Sequence, residues 1–196
     1  MGDMLTGTTY PEAVHEQSLA PAAKALRNSG IGFHMIRGNH ENNGPAAGSY
    51  YDYLPGSPYY SFLSKGVFFV VLVTGESGGY SFSRDDLWKG QRKFIEETVR
   101  SEAYQKAKYR IVLTHSPFLG SDSVMSDGCE PFFGSGDIPP VDLWLCGHVH
   151  ENSEIPPGGT GIRERNVPFF PVPFPVVLCG HRNYLAVSVK SDRIEL

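Results

Sequence analysis

The sequence is poor in cysteine, carries no surplus of basic charge and contains no long apolar run. Its 3 cysteines, Cys129, Cys146 and Cys179, include no C-x-x-C pair, so neither a disulfide framework nor a cysteine-rich zinc site is expected. The net charge of -4 gives no electrostatic basis for binding nucleic acid. The longest apolar run, residues 67–73, is too short to span a bilayer. Function must therefore be sought in specific side chains.

The alternation of helical and strand patterns predicts a layered α/β sandwich with mixed β-sheets. An apolar content of 40% and a charged content of 19% fit a single folded domain over residues 1–196. Pro21, inside the first helical segment, predicts a kink or a split there. The patterns predict helices over 11–29 and 83–105, and strands over 31–36, 59–64, 67–74, 109–114, 141–146, 176–179, 184–189 and 193–196.

Polar side chains collect where three of these predicted strands end. Residues 38–41 (Gly-Asn-His-Glu) follow the first, His115 follows the second, and His148 and His150 follow the third. Because ligands bind beyond the carboxyl ends of strands in layered α/β folds, these side chains are expected to meet at one edge of the sheet. An amide oxygen and several imidazoles, together with the Asp3 carboxylate, suit Zn, Mn or Fe rather than calcium.

The run at 147–150 (Gly-His-Val-His) spaces two imidazoles one residue apart. On a continuing strand, side-chain alternation would aim both imidazoles at the same face. Each would then bind one of two neighbouring cations, and two metals about 3.5–4 Å apart form the usual clamp for phosphoryl displacement by a metal-activated water. The spacing therefore predicts a dinuclear metal centre that acts on a phosphate ester.

In this order along the chain, the motifs resemble those of the calcineurin-like metallophosphoesterase superfamily. The matching motifs are Gly2-Asp3, residues 38–41, Thr114-His115 and residues 147–150. The segments 59–74, 90–99 and 110–118 are similar to the purple-acid-phosphatase-like branch, so the resemblance covers nearly the whole chain. It implies a metal-dependent phosphoesterase with two metal ions (Mn, Fe or Zn) and a small-molecule or nucleotide phosphate ester as substrate.

The resemblance implies a metal-binding role for each matching ligand. Asp3 would bridge the two metal ions. Asn39, His115 and His148 would complete the protein ligands of one metal, and His150 would bind the other.

The same resemblance implies that His40 binds no metal. It would contact the phosphate and help to protonate the leaving oxygen, and Glu41 would orient it. The motifs do not separate a monoester from a diester, because the loops at 42–57 and 118–138 would decide between them.

Two departures from the family pattern concern the start of the chain. The D-x-H motif, which would supply two further ligands to the metal bound by His150, is absent from the sequence. Thr6 stands where purple acid phosphatases have a tyrosine, so no tyrosine-to-iron colour is expected. We therefore expect the chain to lack its first strand or strands and any targeting segment before them. Localisation stays open between cytoplasmic and extracytoplasmic, and the oligomeric state is not indicated.

Two alternatives to an active phosphoesterase remain open. The first is a metal-binding fragment without catalytic activity, since some metal ligands are missing. A serine hydrolase is the remote alternative, because residues 75–79 match G-x-S-x-G around Ser77, with Asp137 or Asp142 and then His148 to follow. The helix that such a nucleophile requires does not start directly at Ser77. The remaining histidines fit no motif and are expected to be structural: His15, His34 and His181.

Overall fold

Short β-strands form the framework of the protein. The computed structural model describes residues 12–30, 32–41, 57–73, 84–117, 129–134, 136–159, 163–164, 167–168, 172–180 and 184–196. The strands in these ranges are β1 Tyr60–Ser64, β2 Val67–Val71, β3 Tyr109–Leu113, β4 Leu143–Cys146, β5 Ser153–Ile155, β6 Arg163–Glu164, β7 Val167–Pro168, β8 Val176–Leu178, β9 Ser188–Val189 and β10 Ile194–Glu195.

The main sheet is mixed and has six strands in the order β1-β2-β3-β4-β8-β5. Strands β2, β3, β4 and β8 run parallel to one another, whereas β1 and β5 are antiparallel to their neighbours. The carboxyl ends of the four parallel strands therefore lie at one edge. The predicted α/β fold with a mixed sheet is confirmed.

The hairpin of β1 and β2 closes as the sequence predicts. Lys65 and Gly66 connect the two strands with φ angles of 50° and 83°. Two central residues with positive φ are typical of the tight turn whose twist matches that of the flanking strands. Aromatic rings then stack across the pair, with Phe62 and Phe69 centroids 4.7 Å apart.

Three α-helices lie in the described residues: α1 Glu12–Asn28, α2 Arg84–Arg100 and α3 Glu102–Lys106. Helix α1 continues through Pro21, so the predicted split is wrong; alanines on both sides of the proline favour helix strongly. The second predicted helix is two helices, because the Ser101 hydroxyl accepts the Tyr104 N–H and caps a new one. None of the helices in this part of the chain is long and apolar enough to cross a membrane.

The sheet buries an apolar layer on each face. One face packs against Ile95 and Val99 of α2, and the other against the C-terminal segment that contains Leu185 and Val187. On the central strand β4, alternation sends Trp144 to the first face and Leu145 to the second. The parallel strands are therefore covered on both sides, as parallel sheets usually are.

Residues 32–37 are not a strand of this sheet, so the predicted strand over 31–36 is wrong within the described residues. The segment lies over β1 instead. The Tyr60 hydroxyl donates to the Met35 carbonyl at 2.8 Å, and His34 stacks on Phe62 with ring centroids 3.5 Å apart. Burial raises the pKa of the Tyr60 phenol, so this hydroxyl stays protonated and keeps its donor. Side-chain contacts rather than a backbone ladder hold the segment.

Arg110 on β3 connects the sheet to the helical layer. Its buried guanidinium donates to the carbonyl oxygens of Tyr104, Gln105 and Ala107 at 2.9–3.0 Å. Its backbone N–H donates to the Asp142 carboxylate at 2.7 Å. Burial raises the pKa of Asp142, against the lowering effect of the Arg110 N–H and guanidinium. One side chain thus satisfies three carbonyls at the end of α3.

We expect Arg110→Met to lower the free energy of unfolding by about 2–4 kcal/mol, because three carbonyls lose a charged donor. Chemical denaturation measures this loss. Arg193→Met is the matched control: Arg193 pairs with Glu195 on an exposed hairpin, where such a pair contributes less than about 1 kcal/mol. Equal losses for the two variants would contradict the assigned role of Arg110.

Candidate metal centre

Three polar side chains from distant parts of the sequence meet at the carboxyl edge of the sheet. His115 Nε2 lies 3.0 Å from Asn39 Oδ1 and 3.1 Å from His148 Nδ1. The two imidazole rings are nearly perpendicular, with an interplanar angle of 76°. One nitrogen therefore has an amide oxygen and a second imidazole nitrogen as immediate neighbours.

His115 is placed by the pairing of β3 with β4. Leu113 and Leu145 are partners in the parallel ladder. Beyond the strand ends the pairing continues, because the Thr114 N–H donates to the Leu145 carbonyl at 3.1 Å and the Gly147 N–H donates to the His115 carbonyl at 2.7 Å. His115 is only 2% exposed. The paired backbones thus hold His115 next to Gly147, where the turn that carries His148 begins.

A buried hydrogen-bond chain fixes the loop on the other side of His115. The Trp144 indole N–H donates to the Thr114 hydroxyl at 2.8 Å, and that hydroxyl donates to the Ser116 carbonyl at 2.7 Å. Thr114 and Ser116 are both almost fully buried. Because a buried polar group that loses its partner is costly, this chain favours one backbone conformation around His115.

His148 and His150 do not continue a strand, and the prediction that alternation aims them at one face is wrong. Strand β4 ends at Cys146. The Val149 N–H donates to the Gly147 carbonyl at 2.8 Å, which closes a three-residue turn centred on His148. His148 and His150 have φ angles of 69° and 64°, a conformation uncommon for residues with a Cβ. Backbone conformations of this kind cluster at functional sites.

Asn39 is carried by a turn that Glu41 stabilises. The fully buried Glu41 carboxylate accepts the Gly38 N–H at 2.9 Å, and the Arg37 guanidinium donates to the Glu41 carbonyl at 2.7 Å. These bonds close the turn around Asn39 and His40, both of which are half-buried. Glu41 therefore supports the backbone of the loop, and its implied role in orienting His40 stays a prediction.

The three neighbouring atoms form a donor set that fits a transition-metal ion. Two ligand atoms at right angles, each about 2.1 Å from a cation, lie about 3.0 Å apart, close to the distances at His115 Nε2. His115 Nε2 carries at most one hydrogen, so it can donate a well-formed hydrogen bond to only one of its two neighbours. A cation, by contrast, accepts lone pairs from all three atoms, and imidazole with amide oxygen suits Zn, Mn or Fe.

Several predicted residues stand apart from this cluster. Asp3, Ser77 and His181 lie outside the described residues. His150 is exposed on the turn after His148. Within the described residues no group of three or more His, Cys, Asp or Glu side chains is arranged to hold a metal. The cluster has two side chains of these types, since its third member is an asparagine.

Sequence reasoning missed the residues that support the site. Trp144 and Gln91 look like ordinary core and helix positions, yet both make buried polar bonds. The Gln91 amide pairs with both backbone groups of Val73 at 2.9 and 3.1 Å, just after β2 ends. A glutamine on the apolar face of a helix is a local signal of a buried polar bond, and it would have identified Gln91. Nothing in the local sequence distinguishes Trp144 from a core residue.

Comparison with known proteins gives a family match. The family model described as calcineurin-like phosphoesterase matches residues 1–152. Among solved structures, the chain is similar to a purple acid phosphatase isolated from yellow lupin (Lupinus luteus) seeds, with 17% identity and a TM-score of 0.34. That similarity covers 64% of this chain and 24% of the lupin chain. No curated protein matches this chain.

We expect Thr114→Val to lower the free energy of unfolding by about 1–3 kcal/mol, because the Trp144 N–H and the Ser116 carbonyl both lose a buried partner. The measurement is a double-mutant cycle by chemical denaturation with Trp144→Phe. In the Trp144→Phe background the same substitution should cost less, since the indole donor is already gone. Strict additivity of the two losses would show that the hydrogen-bond chain does not exist.

Proposed function

Because the chain belongs to the calcineurin-like phosphoesterase family, we propose that it hydrolyses a phosphate monoester or diester with the help of two metal ions. The observation that carries this proposal is the meeting of Asn39 Oδ1, His115 Nε2 and His148 Nδ1 within 3.0–3.1 Å contacts. These are three of the four residues whose motifs imply ligands of one metal. The supporting comparison is the family match over residues 1–152, which contains all of them.

In this proposal one Mn, Fe or Zn ion is held by Asn39, His115 and His148 together with Asp3. His150 and Asp3 contribute to the second ion. When bound, such ions lower the pKa of a water molecule and offset charge on the phosphate oxygens. The role of the protein is to hold the donors of the first ion rigidly, which the buried position of His115 and the turn at His148 support.

His40 is proposed as the residue that acts on the ester itself. It lies next to Asn39 in the turn that Glu41 closes, and the contact of Asn39 with His115 supports a position near the same edge of the sheet. An imidazole that carries a proton there can contact the phosphate and donate that proton to the leaving oxygen. Because the turn is held by a buried carboxylate, the position of His40 does not depend on the metal ligands alone.

The second metal site has fewer assigned ligands than the first, because the sequence contains no D-x-H motif. Only Asp3 and His150 are assigned to it, and loss of a single supporting residue in a metal site typically costs about 10–100-fold in affinity or activity. The competing function is therefore a chain that binds one metal and does not turn over substrate. Metal stoichiometry and turnover, measured on the same preparation, distinguish the two.

We expect His148→Ala to reduce the metal content per chain, as elemental analysis after equilibration with Mn or Zn and removal of free metal would show. The substitution removes one of the converging donors, so hydrolysis of a chromogenic phosphomonoester should fall with the metal content. His34→Ala is the matched control, because His34 stacks on Phe62 and is not one of the three converging side chains. Unchanged metal content in His148→Ala would refute the assignment.

His40→Ala should separate chemistry from metal binding. We expect turnover to fall by about 10²–10⁴-fold while the metal content stays unchanged, since the residue lost is a proton donor and not a ligand. Bound metal and turnover number, determined on the same sample, give the answer. A parallel loss of metal and activity would make His40 a ligand instead.

Ser77→Ala tests the serine-hydrolase alternative. If the metal ions carry the reaction, this variant keeps full phosphatase activity and full sensitivity to a chelator. Loss of activity in Ser77→Ala, with His148→Ala unaffected in metal content, would favour nucleophilic catalysis by the serine.

A further inference from the structure

A cavity of about 260 Å³ opens at the carboxyl end of β8, between β8 and β5. Leu178, which lines it, is paired with Cys146 at the end of β4, and the Cys179 N–H donates to the Cys146 carbonyl at 2.8 Å. Strands β4 and β8 are parallel, so the cavity lies at the same edge as His148.

The wall of the cavity is in direct contact with the turn that carries the two histidines. The Gly180 N–H donates to Asn152 Oδ1, a lining residue, at 2.7 Å. A Cβ on Gly180 would come within 2.9 Å of the His150 carbonyl oxygen, so only glycine allows this close approach. The cavity and the 147–150 turn are thus joined through one tight backbone contact.

The lining residues that the structure describes combine apolar surface, an aromatic ring and one negative charge. Leu178 and Leu185 supply the apolar surface. Tyr184, 92% exposed, stands at the rim, and Glu154 is the one charged side chain among the lining residues that the structure describes. A carboxylate repels a second phosphate, whereas a carboxylate next to an aromatic face attracts an ammonium group.

We propose that this cavity binds the organic part of the substrate and selects an alcohol that carries an ammonium group. The proposal rests on the function proposed above, since the ester phosphate would sit at the histidine cluster. The volume suits a compact group of a few carbon atoms and disfavours a nucleotide with further phosphates. Substrates of this class are phosphate esters of primary or quaternary aminoalcohols.

The three cysteines provide a test that needs no catalysis. Cys179 lines the cavity and is half-buried, whereas Cys129 and Cys146 are buried. The rate of alkylation of Cys179 by iodoacetamide, followed by mass spectrometry, therefore reports on whether the cavity is filled. The buried cysteines in the same sample show that the protein stays folded.

Choline and its neutral isostere 3,3-dimethylbutan-1-ol are the matched probes. We expect choline to protect Cys179 at about fivefold lower concentration than the neutral alcohol, as one exposed charge contact and one cation–aromatic contact would give. Glu154→Gln should remove most of this difference, and Tyr184→Leu should reduce it. Equal protection by both alcohols in the unmodified protein, or no protection by either, would overturn the proposal.

Turnover separates this proposal from the one on which it rests. Choline phosphate should be hydrolysed with a higher kcat/KM than 3,3-dimethylbutyl phosphate, and Glu154→Gln should equalise them without changing metal content. Charge-selective protection of Cys179 without any turnover would contradict the proposed enzymatic function and leave the cavity as a binding site for cationic alcohols. Turnover of choline phosphate without protection of Cys179 by choline would contradict the proposed role of the cavity.

Discussion

The parallel pairing of β3 with β4 is the constraint on which the candidate site depends. The ladder between the two strands runs on past their ends through Thr114 and Gly147, so the backbone places His115 and His148 side by side. The 3.1 Å contact between their ring nitrogens follows from this register. A shift of the register by one residue would turn His115 to the opposite face of the sheet and separate the pair.

Around this pair, the protein holds polar groups in place with buried hydrogen bonds rather than with surface ion pairs. The indole of Trp144 fixes the hydroxyl of Thr114, and the carboxylate of Glu41 fixes the turn that carries Asn39. Each bond forms in surroundings where loss of a partner is costly, so the loops keep one conformation. Such preorganisation is what a metal centre requires, because its donors must already converge before the cation arrives.

The sequence predicted the mixed sheet, the helical segments and the meeting of Asn39, His115 and His148 at one edge, because hydrophobic periodicity and turn residues are local signals. It failed where tertiary contacts decide. Residues 32–37 have the composition of a strand but are held over β1 by Tyr60 and by the stack of His34 on Phe62. The turn at His148 depends on a positive φ that no histidine favours by itself. Trp144 carries no local signal for the polar bond it makes, whereas Gln91 is marked only by its place on the apolar face of a helix.

We propose that Asn39, His115 and His148 bind one cation through the atoms that the fold brings together. Anomalous diffraction from crystals equilibrated with Mn tests it most directly. The account predicts a peak about 2.0–2.3 Å from Asn39 Oδ1, His115 Nε2 and His148 Nδ1. A peak at another place on the protein, with these three side chains still in hydrogen-bond contact and no metal between them, would contradict it.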